Sequence, residues 1–153
     1  KRLYPLWHGG TISIWVGRKS ADEAGKLYVR RVTDKGYSAV GGIYDKGWIT
    51  AEINTIGSYE VAVDTVPPQL AFVNEERWQR TEKMVFTFED ETSMDSFKGT
   101  LDGKFVLFVH NSKNSTLVLD LKKENVARGK HLLLLSVTDA CGNETVLEKE
   151  FEY

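Results

Sequence analysis

The chain has 153 residues, of which 41% are hydrophobic and 27% charged, and this composition excludes a disordered polypeptide. Its formal net charge of −2, with both signs interspersed, argues against the clustered basic face of a nucleic-acid-binding protein. No run of about 18 apolar residues occurs, so we expect no transmembrane segment. The N-terminal residues also lack the apolar stretch of a signal peptide, which favours a fragment or a mature chain whose targeting signal lies elsewhere.

Residues 1–65 are predicted to form a first β-sandwich module. Apolar and polar residues alternate with a period of two, which is typical of strands with one buried face. Residues 20–25, between two of these strands, predict one short helical turn, with Ser20 as the N-cap and Glu23 three residues later. About four or five strands bury little surface, so we expect either additional strands before Lys1 or support from the second module. The clearest alternations lie at residues 11–16, 27–30, 48–53 and 58–63.

The segment 64–68, Asp-Thr-Val-Pro-Pro, is predicted to be a domain boundary because paired prolines cannot donate to a sheet ladder. The strand pattern then restarts, and residues 66–153 contain about seven short strands, the number expected of an immunoglobulin-like sandwich. Asp102-Gly103 predicts a hairpin turn between the third and fourth of them. The almost wholly apolar run 105–109 predicts a central strand. The predicted fold is therefore all-β, with two antiparallel β-sandwich modules.

Several stretches on both sides of this boundary resemble a recurrent bacterial pattern. They are GGIYDKGWITA at 41–51, GSYEVAVDTVPP at 57–68, DETSMDSFKGTLDGKFVL at 90–107, GKHL at 129–132 and VTDACGNE at 137–144. Their order and spacing resemble the C-terminal immunoglobulin-like region of Bacteroidetes lysostaphin-type zinc metallopeptidases, over residues 3–153. Met94 and Phe105 stand where that pattern often has glycine and tryptophan.

This resemblance implies an accessory module without the catalytic domain. Its partner would be a catalytic peptidase domain elsewhere in the parent chain, and its location would be the periplasm or the cell surface. The chain itself lacks the zinc ligands of such peptidases, which are His-x-x-x-Asp and a later His-x-His. Its histidines are His8, His110 and His131, no two of them are two residues apart, and position 12 is Ile12.

Other catalytic groups are not indicated by the sequence either. The single cysteine, Cys141, excludes a disulfide within the chain and has no neighbouring histidine in sequence. His110 and His131 lie at strand ends, where we expect structural roles. We therefore predict no catalytic residue, no enzyme activity and no cofactor.

Tryptophan side chains are the candidate ligand-binding groups, since an exposed indole can stack on a sugar ring. Trp15 and Trp48 are expected on the outer faces of their strands, and Trp78 lies in the polar stretch 74–81. Trp78 is therefore predicted to be the most exposed anchor, and Trp7 is a further tryptophan of this kind. The alternative is that these residues pack in cores or at domain and partner surfaces.

Four carboxylates are candidate calcium ligands. The loops after Phe88 and Thr138 are expected to meet at one end of the second sandwich, where several oxygen ligands would gather. The alternative, which we prefer, is that these aspartates cap turns through their own backbone amides, so no metal is predicted outright. The candidates are Glu89, Asp90, Asp95 and Asp139.

Three functions remain open on the sequence. The first is a non-catalytic accessory module that positions or docks the catalytic domain of a cell-envelope metallopeptidase. The second is a module that itself binds peptidoglycan or another glycan. The third is a structural spacer in a surface protein.

Overall fold

The computed structural model describes residues 4–153 and consists almost entirely of antiparallel β-strands, which confirms the predicted all-β class. Within this range the chain forms two compact units. The first unit contains the described residues up to Val66 together with the segments 91–93 and 140–143, and the second unit contains residues 67–90, 94–139 and 144–153. None of the helices in residues 4–153 is long and apolar enough to cross a membrane.

The first unit is a small sandwich of six strands, where the sequence predicted four or five. They form two antiparallel sheets, β1-β5-β4 and β3-β2-β6. The alternation misses β3, which has a glycine at each end, and β4, which has three residues. The strands are β1 (Tyr4–Trp15), β2 (Leu27–Thr33), β3 (Gly36–Gly41), β4 (Ile43–Asp45), β5 (Trp48–Ile56) and β6 (Ser58–Val63).

Helix α1 (Ala21–Gly25) of the first unit confirms the predicted capping box. The Glu23 amide donates to Ser20 Oγ at 3.3 Å, and the Ser20 amide donates to Glu23 Oε2 at 3.0 Å. Hydrogen bonds from the Ser20 amide and the Ser20 hydroxyl to the Glu23 carboxylate, together with the Lys19 charge nearby, hold the pKa of Glu23 below its ordinary value. Five residues are too few to form a stable helix alone, so the reciprocal cap is what defines it.

The core of the first unit is narrow. Val29 on β2 and Ile49 on β5 are fully buried, and Ala51 is nearly so. In the register of β1 with β5, Ile14 lies opposite Ile49 and Trp15 opposite Trp48. Since successive side chains alternate between faces, burial of the isoleucine pair directs the tryptophan pair outward.

The second unit is a sandwich of eight strands, with sheets ordered β11-β12-β8-β7 and β10-β9-β13-β14. This is the strand order of an immunoglobulin-like domain whose second sheet has one added edge strand. A short helix, α2 (Trp78–Thr81), joins the first two strands. The strands are β7 (Gln69–Phe72), β8 (Lys83–Glu89), β9 (Met94–Leu101), β10 (Lys104–Val106), β11 (Phe108–Asn111), β12 (Thr116–Asp120), β13 (Lys130–Asp139) and β14 (Glu144–Glu152).

Both sheets of the second unit contribute to one core. Most of its members are the apolar residues that alternate with polar ones along the strands of the sequence. The fully buried members are Met84, Phe86, Leu117, Leu119, Leu121, Leu133, Leu135 and Val137.

Two turn and strand predictions for the second unit have different outcomes. Asp102 and Gly103 have φ values of 52° and 78° and connect β9 to β10, which confirms the hairpin turn. The prediction that 105–109 is a central strand was wrong. The run divides into two edge strands on different sheets, with Val106 and Phe108 buried and Phe105 65% exposed.

Candidate ligand-binding face and cleft

Trp15 and Trp48 form an exposed aromatic pair on the outer side of sheet β1-β5-β4. They lie opposite each other in the β1–β5 ladder and are 55% and 48% exposed. Their ring centroids are 5.3 Å apart and the rings meet edge to face at 63°. This arrangement leaves indole surface open to solvent while each ring supports the other.

The backbone at Gly47 holds Trp15 in place. The Val16 amide donates to the Gly47 carbonyl at 2.9 Å, and Gly47 has a φ of 96°, which an L side chain rarely adopts. A side-chain carbon at position 47 would overlap the Trp15 ring. Gly47 therefore permits both the turn before β5 and the close approach of the indole.

Polar pairs continue the row of outward residues along the same two strands. Ser13 lies opposite Thr50, and their hydroxyls are 2.9 Å apart. Thr11 lies opposite Glu52 in the next outward pair. We refer to these three cross-strand pairs, from Trp15–Trp48 to Thr11–Glu52, as the outer face. Successive pairs are about 6.6 Å apart, so the outer face extends about 13 Å.

A cleft of about 820 Å³ lies in the first unit, between residues of its two sheets. Thr11 and Glu52 belong to its lining as well as to the outer face. The β1 strand contributes to this opening, because Pro5 pairs with Thr55 and Gly10 with Ile53, and residues 6–9 bulge out of the ladder. The cleft therefore begins where the outer face ends.

One row of side chains crosses the sheet β3-β2-β6 at the cleft. Arg31 on β2 lies opposite Ser38 on β3 and Tyr59 on β6, and all three line the cleft. Asn54 and Thr55 line it from β5. The apolar core is therefore replaced at this end by hydroxyl, amide and guanidinium groups.

Arg31 contacts this polar cluster through one nitrogen. Its Nη1 donates to Thr55 Oγ1 at 2.8 Å, and the Tyr59 hydroxyl donates to the Thr55 carbonyl at 2.6 Å. Its Nε is buried without a protein partner among the described residues. Its Nη2 is not among the buried atoms that lack a partner. No ion pair formed within residues 4–153 includes Arg31. The guanidinium is therefore half-buried and lacks a counter-ion there.

The adjacent Arg30 is fully paired and lies on the opposite face of β2. It contacts Glu60 at 2.9 Å and Glu91 at 3.0 Å, and its guanidinium carbon is 3.6 Å from the centroid of the Tyr37 ring. Although burial alone would lower it, the pKa of Arg30 is raised by the hydrogen bonds to Glu60 and Glu91. Burial, reinforced by Glu91, raises the pKa of Tyr28 to about 12. These contacts stabilise the first unit and neutralise the positive charge of Arg30.

The prediction that Trp78 is an exposed anchor was wrong. Trp78 is 6% exposed, begins helix α2, and packs edge to face on Phe151 with ring centroids 5.2 Å apart. Tyr153 lies 6.4 Å away by the same measure. The indole therefore belongs to the core of the second unit. Trp7, by contrast, is 93% exposed and lies apart from the tryptophan pair, in the β1 bulge.

The four calcium candidates are not all brought together. Asp90 and Asp139 each present a carboxylate oxygen within 4.8 Å of the other, whereas Glu89 and Asp95 are outside this group and exposed. Calcium takes about six to eight oxygen ligands, and a pair of carboxylates is also common in proteins without an ion. The structure therefore places two of the candidates as neighbours, and a calcium site stays a prediction. Among the described residues, no histidine lies in a cluster whose side chains could together hold a metal ion.

A buried polar network lies within the first unit. Lys26 Nζ donates to the Cys141 carbonyl at 2.9 Å and to Asn143 Oδ1 at 2.6 Å. The Asn143 amide donates to the Asp64 carbonyl at 3.2 Å, and the Thr92 hydroxyl donates to Asp64 Oδ2 at 3.1 Å. This network fixes the segments 91–93 and 140–143 to Lys26, just before β2, and to Asp64, just after β6, so its members have structural roles.

Alternation along the strands does not predict the Arg31 cleft, although the sequence contains a signal for it. Leu27, Val29 and Arg31 alternate toward one face of β2, and Val29 is fully buried. A charged residue at the next inward position of such a strand indicates an opening or a buried partner. By contrast, alternation alone placed Trp15 and Trp48 on the outer side.

Comparison with known proteins shows a family similarity for part of the chain. No curated protein matches the chain. Among solved structures, a chicken TCR crystal structure is 7% identical, with a TM-score of 0.28, and the match covers 94% of this chain and 92% of that one. A family model described as a Zu5-like domain matches residues 1–64. The described part of the first unit up to residue 64 is therefore similar to a Zu5-like domain.

Proposed function

We propose that the chain is a non-catalytic module that binds an extended saccharide on the outer face of the first unit. The observation that carries this proposal is the exposed pair Trp15–Trp48, held on two paired strands. Two large rings of this kind cost little conformational entropy on binding, and they offer apolar surface to the faces of sugar rings.

The polar pairs next to the tryptophans support a saccharide over a purely apolar ligand. Ser13, Thr50, Thr11 and Glu52 offer hydroxyl and carboxylate groups in line with the rings. Sugars present apolar ring faces and hydroxyl edges, so a ligand lying along β1 and β5 would satisfy both kinds of group. The length of about 13 Å suits a short oligosaccharide segment.

The distribution of carboxylates supports binding without hydrolysis. Among the described residues of the outer face and the cleft lining, Glu52 is the one carboxylate. Glycoside hydrolases usually need two carboxyl groups flanking the scissile bond. We therefore propose that a bound saccharide leaves unchanged.

The biological setting rests on the sequence resemblance. Similarity to the C-terminal region of lysostaphin-type peptidases supports an accessory role beside a catalytic peptidase domain, in the periplasm or at the cell surface. Peptidoglycan is then the first saccharide to test. In this setting the module would dock the catalytic domain on its polymer.

The test is retention on purified, insoluble peptidoglycan, accompanied by a glycan array. We expect the chain to be retained, and we expect the variants Trp15→Ala and Trp48→Ala to bind at least about tenfold more weakly, since central aromatic anchors contribute about 2 kcal/mol or more. The matched control is Trp7→Ala, which removes an equally large exposed indole outside the pair.

Circular dichroism and thermal unfolding would establish that each variant is folded. Retention of the double variant Trp15→Ala/Trp48→Ala at the wild-type level would exclude the outer face as the binding surface. If neither peptidoglycan nor any glycan on the array retains the folded wild-type chain, the module is better described as a structural spacer.

A further inference from the structure

We infer that the cleft beside the outer face binds the carboxylate of an acidic sugar, a uronate, through Arg31. This inference deepens the proposed function and rests on it, because a uronate-containing polysaccharide lying on the outer face would place an acidic ring in the cleft. Peptidoglycan contains no uronate, so it would engage the outer face alone. Its basis is a half-buried guanidinium that has no counter-ion within residues 4–153.

The guanidinium has donors to spare for an anion. Arginine has five N–H donors, and Arg31 uses one of them, on Nη1, to bond Thr55. Its Nη2 has no protein partner among the described residues and is not buried. A planar fork of N–H groups matches a carboxylate in two parallel hydrogen bonds. The chemical class of ligand that this side chain favours is therefore a carboxylate.

The neighbours of Arg31 favour a carboxylate that also has hydroxyl groups. The Tyr59 and Thr55 hydroxyls lie 3.2 Å apart beside the guanidinium, and Ser38 and Asn54 line the same cleft. These groups donate to and accept from hydroxyls in several directions. The cleft volume of about 820 Å³ lies within the range of small-molecule sites and exceeds the size of one sugar ring.

The position of the cleft connects it with the saccharide on the outer face. Thr11 and Glu52 end the outer face and also line the cleft. A chain of sugars stacked on Trp15 and Trp48 would therefore place a further ring at the cleft. Glu52 is negatively charged, so it would accept hydrogen bonds from sugar hydroxyls and repel the carboxylate of the sugar. The carboxylate would therefore lie at Arg31.

The experiment is a titration of the ¹⁵N-labelled chain followed by nuclear magnetic resonance. The probes are sodium D-glucuronate and D-galacturonate, with D-glucose, D-galactose and sodium acetate as matched neutral sugars and free carboxylate. We expect amide shifts at residues lining the cleft and a dissociation constant at least about tenfold lower for a uronate than for its neutral sugar or for acetate.

The variant Arg31→Gln should weaken uronate binding by at least about tenfold, and Arg31→Lys should weaken it less, because the charge remains while the planar fork is lost. Arg18→Gln is the matched control, since Arg18 is exposed and outside the cleft lining. Uronate binding that is unchanged in folded Arg31→Gln, or equal binding of uronate and neutral sugar, would overturn the inference. Binding of acetate as tightly as uronate would equally overturn its saccharide part.

The two proposals fail separately in this design. The variant Trp15→Ala/Trp48→Ala should keep its affinity for a single uronate, since the cleft remains. Peptidoglycan retention that depends on the tryptophans, without any uronate binding, sinks this inference alone. Uronate binding that needs Arg31, without tryptophan-dependent retention, supports the cleft and contradicts the proposed outer face.

Discussion

His131, at the start of β13, is held between two oxygen atoms. Its Nδ1 is 2.6 Å from Asp102 Oδ2 and its Nε2 is 2.9 Å from the Ala127 carbonyl. The protonated ring donates to both, so the hydrogen bond to Asp102 raises the pKa of His131 although burial opposes it. The Leu132 amide and His131 both donate to Asp102, and these bonds lower the pKa of that carboxyl.

A dependence of stability on pH follows from this pair. Because the pKa of His131 is higher in the folded state than in the unfolded state, protonated His131 contributes to the free energy of unfolding. This contribution is fully present below the unfolded pKa of about 6.5 and is lost as pH rises through the folded pKa. The contribution of Asp102 is lost in the opposite direction, as pH falls through its lowered pKa. We expect urea unfolding of the second unit to show a decrease in unfolding free energy above about pH 6.5.

The variant His131→Gln should remove this decrease, and His110→Gln should keep it. His110 is the matched control because it is exposed on β11 of the same unit. A pH titration of the histidine ring resonances by nuclear magnetic resonance, assigned with these two variants, would give the pKa of His131 directly. An equal slope in the wild type and in His131→Gln would show that another group causes the pH dependence.

Single residues also show how far alternation can predict a site. Trp15 and Trp48 lie within regular strands, so their outward direction follows from the burial of Ile14 and Ile49. Trp78 lies outside any strand, and its burial depends on Phe151 at the other end of the unit's sequence. The residues next to Trp78 in sequence are polar and do not indicate that contact. The exposure predicted from them was therefore wrong.

At the level of strands, β9 and β11 approach each other across the second sandwich at a glycine. Gly99 on β9 is buried, and a side-chain carbon there would overlap the ring of Phe108 on β11. Phe108 also packs edge to face on Phe86, with centroids 5.9 Å apart. The absence of a side chain at position 99 is therefore what admits the Phe108 ring to the core.

We expect Gly99→Ala to lower the unfolding free energy of the second unit by about 1 to 3 kcal/mol, because overpacking forces a ring or a strand to move. Chemical denaturation would measure this. In the background of Phe108→Leu, the same change at Gly99 should cost less, since the smaller side chain leaves room. An equal cost in both backgrounds would show that strand propensity, and not the Phe108 contact, causes the loss.

Strand predictions succeeded where a strand stays in one sheet and buries one face. The prediction failed where the chain passes from one sheet to the other within a single apolar run. The runs that became β8, β12 and β13 were read correctly, because their inward positions are apolar and fully buried. The run 105–109 is apolar at every position, so periodicity could not show that its outward half is exposed. The chain leaves one sheet at Val106 and joins the other at Phe108, which only the three-dimensional pairing reveals.

At the level of the whole molecule, each unit has its own core and its own set of sheets. The sequence predicted modules at 1–65 and 66–153 from the proline pair. The segments 91–93 and 140–143, which the structure groups with the first unit, follow from hydrogen bonds such as that of Lys26 with Asn143. Those partners are 117 residues apart in sequence, so composition and periodicity have no information about them.

The proposed function uses the first unit alone. Its outer face combines an aromatic pair with polar pairs, and its cleft adds a guanidinium without a counter-ion among the described residues. Alternation predicted the first of these features from sequence. The cleft required the structure, because it depends on the β1 bulge and on Thr55 approaching Arg31 from the other sheet.

The most direct measurement of saccharide binding uses the four tryptophans as reporters, since each indole N–H gives its own ¹⁵N signal. Soluble peptidoglycan fragments would be titrated into the labelled chain, with signals assigned from single tryptophan variants. We predict saturable shifts of the Trp15 and Trp48 indole signals, while the signals of buried Trp78 and of Trp7, which lies outside the pair, stay unchanged. Unchanged Trp15 and Trp48 signals under conditions in which the wild-type chain is retained on peptidoglycan would contradict recognition by the outer face.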